Sequence, residues 1–309
     1  MSTVTKIRIG TRKSPLALAQ AAEVAELLAQ AWPHLAAPGA IETLPMMTSG
    51  DAFSDRPLAE AGGKGLFTKE IEEALLDNRI DIAVHSMKDM PTMLPDGLTI
   101  GCMLEREDPR DMLVGEGLRD LSGLPKGAIF GTSSLRRAAM VKLSRPDVTI
   151  VPFRGNVETR LKKLAEGQAQ ATLLAMAGLN RLKRFDVPGH PLPWEEFLPA
   201  VAQGAIGIEC RADDDATLDL IAPLAHIETE IAVLCERAFL GTLDGSCRTP
   251  IAGYATVEGD SLQFRGMVLK PDGSQHHTIE MSGPAHEAHH IGISAGEALL
   301  AKAGKNFLK

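Results

Sequence analysis

Between Ala128 and about Arg184 the chain repeats one pattern: a short apolar run, a polar turn, then a helix-forming stretch. Strand-like runs at Ala128–Gly131, Val148–Phe153 and Ala171–Ala177 alternate with helices that start after Thr132-Ser133-Ser134 and after Arg154-Gly155-Asn156. Strands separated by helices of this length cross over and lie parallel, which restricts the segment to an α/β sheet covered by helices. An earlier stretch has the same grammar. Lys6–Gly10 alternates like a strand, and Ser14 and Pro15 read as the N-cap and first position of an Ala/Leu-rich helix. A helix over Phe67–Asp77 then leads to a strand at Ile80–His85 and the polar turn Ser86-Met87-Lys88-Asp89. Two parallel sheets are expected. Beyond about Ile221 the pattern changes to a helix (Glu228–Leu240), a loop (Leu243–Arg248), three strand-like runs (Ile251–Val257, Leu262–Leu269, His276–Met281) and a last helix over His286–Ala303. Glu258-Gly259-Asp260 and Pro271-Asp272-Gly273-Ser274 suit hairpin connections, so this end reads as a smaller α+β part.

The 309 residues suit two or three domains and can bury a core without disulfide or metal staples. The longest apolar run, Ala171–Leu179, is too short to span a bilayer. Met1–Gly10 carries no apolar h-region and no Arg/Ser-rich transit pattern, so a cytoplasmic protein is expected. A net charge of −8 and 4% aromatic residues speak against a nucleic-acid wrapper or a base-stacking platform.

Under that acidic average the cations are gathered. Arg8, Arg12, Lys64, Lys88, Arg136, Arg137, Arg154, Arg160 and Arg181 lie at or near predicted loops. Five of them (Arg12, Lys88, Arg136, Arg137 and Arg154) follow a predicted strand at or near a helix start. Open α/β sheets bind ligands beyond the carboxyl ends of their strands, and helix N-termini add unpaired N–H groups there. Arginine forks match carboxylates and phosphates. Any one of these residues reads equally well as a solvated charge; as a set they point to a small polyanion. Asp89, beside Lys88, is placed to accept a proton or to stabilise a transient cation, with a structural ion pair as the competing reading.

The four cysteines share no metal spacing. Cys102 and Cys235 stand in apolar contexts and Cys210 follows Ile208-Glu209, whereas Cys247 sits in a Gly/Ser loop beside Arg248, where a thiolate is favoured. It is the candidate nucleophile or attachment point. Gly62-Gly63-Lys64-Gly65 fits no phosphate-loop pattern and reads as a flexible turn over a ligand. His286-Glu287-Ala288-His289-His290 matches H-E-x-x-H, but it opens a helix with no third ligand in view, so no metal is expected.

Taken together, eight ordered motifs resemble the porphobilinogen deaminase (hydroxymethylbilane synthase) family. They are Thr11–Ala17, Gly62–Phe67, His85–Asp89, Glu105–Asp111, Gly131–Arg137, Arg154–Val157, Gln203–Glu209 and the Cys247 loop, and they run through nearly the whole chain. The resemblance implies two periplasmic-binding-protein-like α/β domains plus a C-terminal α+β domain with a three-stranded antiparallel sheet. Its boundaries would be 1–103 with 200–222, 104–199, and 223–309. It implies a transferase that joins porphobilinogen molecules head to tail with loss of ammonia, on a dipyrromethane cofactor held by a thioether at Cys247. By position, Asp89 and Lys88 would be catalytic, and Ser134, Arg136 and Arg137 would bind the cofactor with them. Arg12, Ser14, Arg154, Arg160, Arg181 and Gln203 would bind substrate, and Lys64 and Phe67 would belong to a flexible loop. A monomer without nucleic-acid or membrane partners is implied. Two departures stand out: the cofactor loop reads Gly-Ser-Cys, and Ser49 stands where some members carry arginine. The alternative reading is a solute-binding protein for a small polycarboxylate on the same two-domain plan.

Overall fold

The structure, a computed structural model, describes residues 6–49, 68–245, 249–304 and 307. In chain order the elements begin with β1 (Ile7–Arg12), α1 (Pro15–Ala31), β2 (Ile41–Met46), α2 (Lys69–Leu76), β3 (Ile82–Ser86) and β4 (Leu98–Met103). Next come β5 (Asp111–Val114), β6 (Ile129–Gly131), α3 (Leu135–Ser144), β7 (Thr149–Val151), α4 (Val157–Ala165), β8 (Ala171–Ala175), α5 (Met176–Arg181) and β9 (His190–Pro191). The last are β10 (Ile206–Arg211), α6 (Asp215–Ile221), α7 (Ile227–Thr242), β11 (Ile251–Glu258), β12 (Ser261–Leu269), β13 (His276–Pro284) and α8 (Ala288–Ala303). Two compact units result: Met1–Arg106 with Ala205–Glu230, and Glu107–Gly204 with Ile231–Lys309.

In the first unit the strand order is β2-β1-β3-β10-β4. β1 runs parallel to β2 and β3, while β10 lies antiparallel to β3 and β4. The all-parallel sheet expected from alternation is therefore corrected to a mixed one. Only strands joined by a crossover helix are bound to run parallel, and β10 is reached instead after the excursion through the second unit's residues. Ser14 Oγ accepts the Ala17 N–H over 3.3 Å and Pro15 opens α1, as a helix start requires. That helix covers one face of the sheet with Ala21, Val24 and Leu28 against Ile7, Ile9, Ile82 and Ile208. On the other face α2 packs Ile71, Ala74 and Leu75 against Ala83 and Leu98.

The second unit repeats the plan in the order β7-β6-β8-β5-β9, with β6 parallel to β7 and β8 and with β5 antiparallel to β8 and β9. Its core gathers Leu113, Phe130, Leu173 and Leu198. β7 is shorter than the expected Val148–Phe153 because Pro152 has no N–H to give a ladder. β11, β12 and β13 form an antiparallel meander, its first turn closing between Glu258 and Ser261 with Gly259 at φ +58°. Ala252, Met267 and Leu269 of this meander join the Phe130 core, so three sheets occupy two units. His286 stands in a 3-10 turn ahead of α8, so the H-E-x-x-H spacing does not set both histidines on one helix.

Candidate active site

The residues singled out by sequence fall into two clusters, one in each unit. In the first unit a pocket is lined by Arg12, Ser14, Gln20, His85, Ser86 and Asp89, among others. Arg12 closes β1, Ser14 caps α1, and Ser86 closes β3, so the pocket sits at the carboxyl ends of parallel strands beside a helix N-terminus. Gln20 Nε2 donates to Ser86 Oγ over 2.8 Å, and Ser86 Oγ donates to Gln20 Oε1 over 3.1 Å, fixing the end of the strand to the helix.

Met87–Asp89 form a single 3-10 turn. Its buried Met87 anchors it: the Met87 N–H donates to Ala205 O over 3.0 Å, and a Cβ on Gly207 would overlap the Met87 sulfur. Glycine at 207 is what lets that side chain lie flat on β10. Lys88 is left half-buried and Asp89 exposed. The turn thus holds its apolar member rigidly and presents a carboxylate to the pocket.

In the second unit the cluster is buried. Asp111, at the start of β5, has no exposed surface; Arg136 is 5% and Arg137 6% exposed. Arg136 Nη2 donates to Asp111 Oδ2 over 2.5 Å and Arg137 Nη2 to Asp111 Oδ1 over 2.6 Å. Each guanidinium also donates to a carbonyl at 2.8 Å, Arg136 to Leu198 O and Arg137 to Leu173 O. Burial by itself would raise the Asp111 carboxyl; the two guanidinium charges and their hydrogen bonds overcome it and hold the group well below the usual carboxylate range. Burial lowers Arg136, against the pull of Asp111. Gln203 Nε2 donates to Asp111 Oδ1 at 3.0 Å and to Pro109 O at 2.7 Å. This glutamine, expected to touch substrate, braces the carboxylate.

Two guanidiniums against one carboxylate leave one positive charge over. Among the described residues, Arg136 Nε and Arg137 Nε, and in the same unit Arg154 Nη1, are buried nitrogens without a hydrogen-bond partner. A buried N–H of a cation left without an acceptor is costly, so the cluster fits a ligand that brings several anionic oxygens. A polycarboxylate is one such ligand, and the donor set fits a dipyrromethane bearing acetate and propionate groups. Ser134 caps α3 by accepting the Arg137 N–H at 3.4 Å, which fixes where both arginines leave the helix. Arg160 Nε donates to Gly155 O at 2.9 Å and Arg181 Nη1 to Gly204 O at 3.1 Å, so both cations are tied to loop carbonyls. Lys64, Phe67 and Cys247 lie outside the described residues.

Asp111 was missed as a site residue in the sequence reading, although it ends the quoted Glu105–Asp111 motif. A lone Asp opening the apolar run Met112-Leu113-Val114 was the signal: an acid there needs a buried cation.

Comparison with known proteins agrees with this chemistry. Residues 7–219 match the family model described as Porphobilinogen deaminase, dipyromethane cofactor binding domain, and residues 230–301 match Porphobilinogen deaminase, C-terminal domain. A curated relative from Oryza sativa subsp. japonica, named Porphobilinogen deaminase, chloroplastic, is 51% identical over 307 residues, covering 98% of this chain and 86% of its own length. That name overturns the expectation of a cytoplasmic protein, which leaned on patterns missing from the first residues; a missing pattern fixes no compartment. Among solved structures, a TRAP periplasmic solute binding protein from Desulfovibrio salexigens is 10% identical, with 72% of this chain and 73% of its own covered and a TM-score of 0.43. The periplasmic aliphatic sulphonate binding protein SsuA from Escherichia coli is 15% identical over 78% of this chain and 71% of its own, with a TM-score of 0.41. Likenesses this weak say nothing of function. The two family models and the rice relative, by contrast, cover nearly every element that carries the two clusters, and the chain belongs to the porphobilinogen deaminase family.

Proposed function

We propose that the chain condenses four porphobilinogen molecules head to tail, releasing ammonia at each addition, and lets go the linear tetrapyrrole hydroxymethylbilane by hydrolysis. The observation that carries this reading is the buried Asp111–Arg136–Arg137 cluster, with its surplus positive charge and partnerless Nε atoms. Every pyrrole of the growing chain brings two carboxylates, so the enzyme must hold a lengthening polyanion whatever its own net charge. The bound dipyrromethane, attached at Cys247, supplies the free pyrrole position on which growth starts.

The chain's own residues do the rest. Arg136, Arg137 and Arg154 hold cofactor and product carboxylates through donors that have no protein acceptor. Ser134 orients the two adjacent arginines, and Gln203 keeps Asp111 in place between them. Arg12 and Ser14 take the carboxylates of incoming porphobilinogen at the end of β1, and Arg160 and Arg181, in the second unit, are further cations for substrate carboxylates. Asp89, exposed on its anchored turn with Lys88 beside it, accepts pyrrole N–H hydrogen bonds. It also stabilises the cation left on porphobilinogen when ammonia departs, until the next α-carbon attacks. We read the three sheets as three domains (1–103 with 200–222, 104–199 and 223–309) and the protein as a monomer. Its acidic charge gives nucleic acid no purchase, and among the described residues no helix is long and apolar enough to cross a membrane.

The intact mass of the purified chain tests the reading. The expected result is an excess equal to two porphobilinogens less two ammonias, lost in Cys247→Ala. An unmodified mass that persists after incubation with porphobilinogen would favour a polycarboxylate-binding protein, which needs neither Cys247 nor Asp89.

A further inference from the structure

Three of the second unit's site arginines depend on one turn segment, residues 198–204, and a buried charge that the mechanism above leaves unused grips its middle. Arg136 Nη1 donates to Leu198 O at 2.8 Å, and Arg181 Nη1 donates to Gly204 O at 3.1 Å. Between these two carbonyls, Gln203 Nε2 reaches Asp111 Oδ1 at 3.0 Å and Pro109 O at 2.7 Å. Asp111 in turn holds Arg136 and Arg137. Wherever the segment lies, Arg136, Arg137 and Arg181 follow.

Its backbone is strained at the centre. Ala202 has φ +59°, the left-handed region, which a residue with a Cβ enters only at a cost. Such a conformation persists where the surroundings over-determine it. Here the Gln203 N–H closes the turn on Ala200 O at 3.0 Å, and the Ala202 N–H donates to Glu236 Oε2 at 2.6 Å. Glu236 stands on α7 with no exposed surface, and its Oε1 accepts the Ala255 N–H of β11 at 2.8 Å. β11 is an edge strand of its sheet, and two residues earlier its Gly253 N–H donates to Pro199 O at 3.1 Å. The segment therefore runs along the open edge of β11. At Pro199 backbone pairs with backbone; at Ala202 the carboxylate bridges the two, taking one N–H from each.

We propose that Glu236 is a positioning residue for cofactor binding: it clamps Ala202 to the edge of β11, so that Gln203 is aimed at Asp111 and Arg136 and Arg137 are set for the ligand's carboxylates. That the ligand is a dipyrromethane rests on the function proposed above; the clamp itself does not. The side chain has to be a carboxylate, because only that group offers an accepting oxygen to each of two N–H donors. A glutamine of the same shape presents one oxygen and one NH2, so one of the two buried N–H groups meets another donor. Freed from the clamp, Ala202 can leave the left-handed region, and Gln203, the next residue, turns away from Asp111.

The test compares the full-length wild type with Glu236→Gln, Gln203→Ala, the double variant of these two, and Glu236→Gln combined with Ala202→Gly. Two quantities are read: amide hydrogen exchange, and the fraction of folded chains that carry the covalent mass. Glu236→Gln should speed exchange about ten-fold at Ala202, Gln203 and β5, with β12 within about two-fold of wild type, as the local loss of a charge-assisted hydrogen bond does. Its loaded fraction should fall about five-fold, and Gln203→Ala should lose about as much; the double variant should lose at most about two-fold more, because both act on one link. Ala202→Gly should restore most of what Glu236→Gln loses, since glycine takes the left-handed conformation without a clamp. A fully loaded Glu236→Gln chain, losses that multiply in the double variant, no recovery with Ala202→Gly, or exchange quickened evenly over the unit would each overturn the proposal. Should Glu236→Gln fail to fold, the wild type decides: its Ala202 amide should exchange as slowly as β12, and exchange at the rate of an open loop is equally fatal. The loaded fraction rests on the dipyrromethane reading whereas the exchange pattern does not. A wild type without covalent mass would therefore count against that reading alone, and the exchange pattern would still decide the clamp.

Discussion

The two units are built on one plan and use their charges in opposite ways. Each has three parallel strands, an antiparallel pair at one side, and polar residues gathered where parallel strands end. In the second unit the charges are buried and locked: Asp111 pins two guanidiniums, carbonyl oxygens take further hydrogens, and what remains unpaired points to an anion. In the first unit Asp89, the carboxylate we propose to be catalytic, stands exposed on a turn whose neighbour Met87 does the anchoring. A locked cationic cluster suits a ligand that stays, because its ordering cost is met once, at folding. An exposed carboxylate suits one that changes at every addition. The comparison predicts that catalysis and stability separate between the units.

The largest expected effect is on turnover. Asp89→Asn should cut kcat by about 10²–10⁴-fold or more, since acid–base and electrostatic roles are lost together. Its urea midpoint should shift by no more than about 0.5 kcal/mol-equivalent, as for an exposed substitution. A fully active Asp89→Asn enzyme would break the comparison at its first limb. Asp111→Asn should do the reverse. Two buried guanidiniums lose their counter-charge, which costs about 3–5 kcal/mol of stability by denaturant titration. The pH dependence carries the same signature. Asp111 is depressed when folded, so its contribution is complete above the ordinary aspartate range and is lost as pH falls below about 4. In Asp111→Asn that acid limb should flatten. An unchanged acid limb would mean that the ion pairs are not what steadies this unit.

Much of this was legible in the sequence where short-range rules govern. Ser14-Pro15 and Thr132-Ser133-Ser134 announced helix starts, and Ser14 and Ser134 do cap α1 and α3. Glu258-Gly259-Asp260 announced the hairpin that closes there. Long-range pairing was not legible. β5 and β10 run antiparallel inside sheets that alternation marks as parallel, and nothing local to Asp111–Val114 or Ile206–Arg211 states their direction. The arginines are legible as cations near strand ends, but nothing local shows that Arg136 and Arg137 are buried against an acid, because their counter-ion lies 25 and 26 residues away in sequence. Glu236 escaped for the same reason. It looks like an ordinary charge until α7 is laid against Ala202 and β11.

The smallest effect sharpens the comparison furthest, because it sets the same residue type in the same role in both units. Ser14 and Ser134 are N-caps of α1 and α3, accepting from Ala17 N at 3.3 Å and Arg137 N at 3.4 Å. As caps alone, Ser14→Ala and Ser134→Ala should each cost about 1 kcal/mol of stability. Their functional consequences should part. Ser14 lines the first unit's pocket, where we propose that incoming substrate is exchanged at every addition, so Ser14→Ala should raise KM for porphobilinogen with the cofactor retained. Ser134 fixes the helix start that carries Arg136 and Arg137, which we propose hold the resident cofactor, so Ser134→Ala should lower the fraction of purified chains that carry the covalent mass, with KM of the loaded fraction nearly unchanged. Equal effects of the two variants on both readouts would mean that the second unit's locked arginines do not need their helix start to be fixed. Asp111 alone would then carry their orientation.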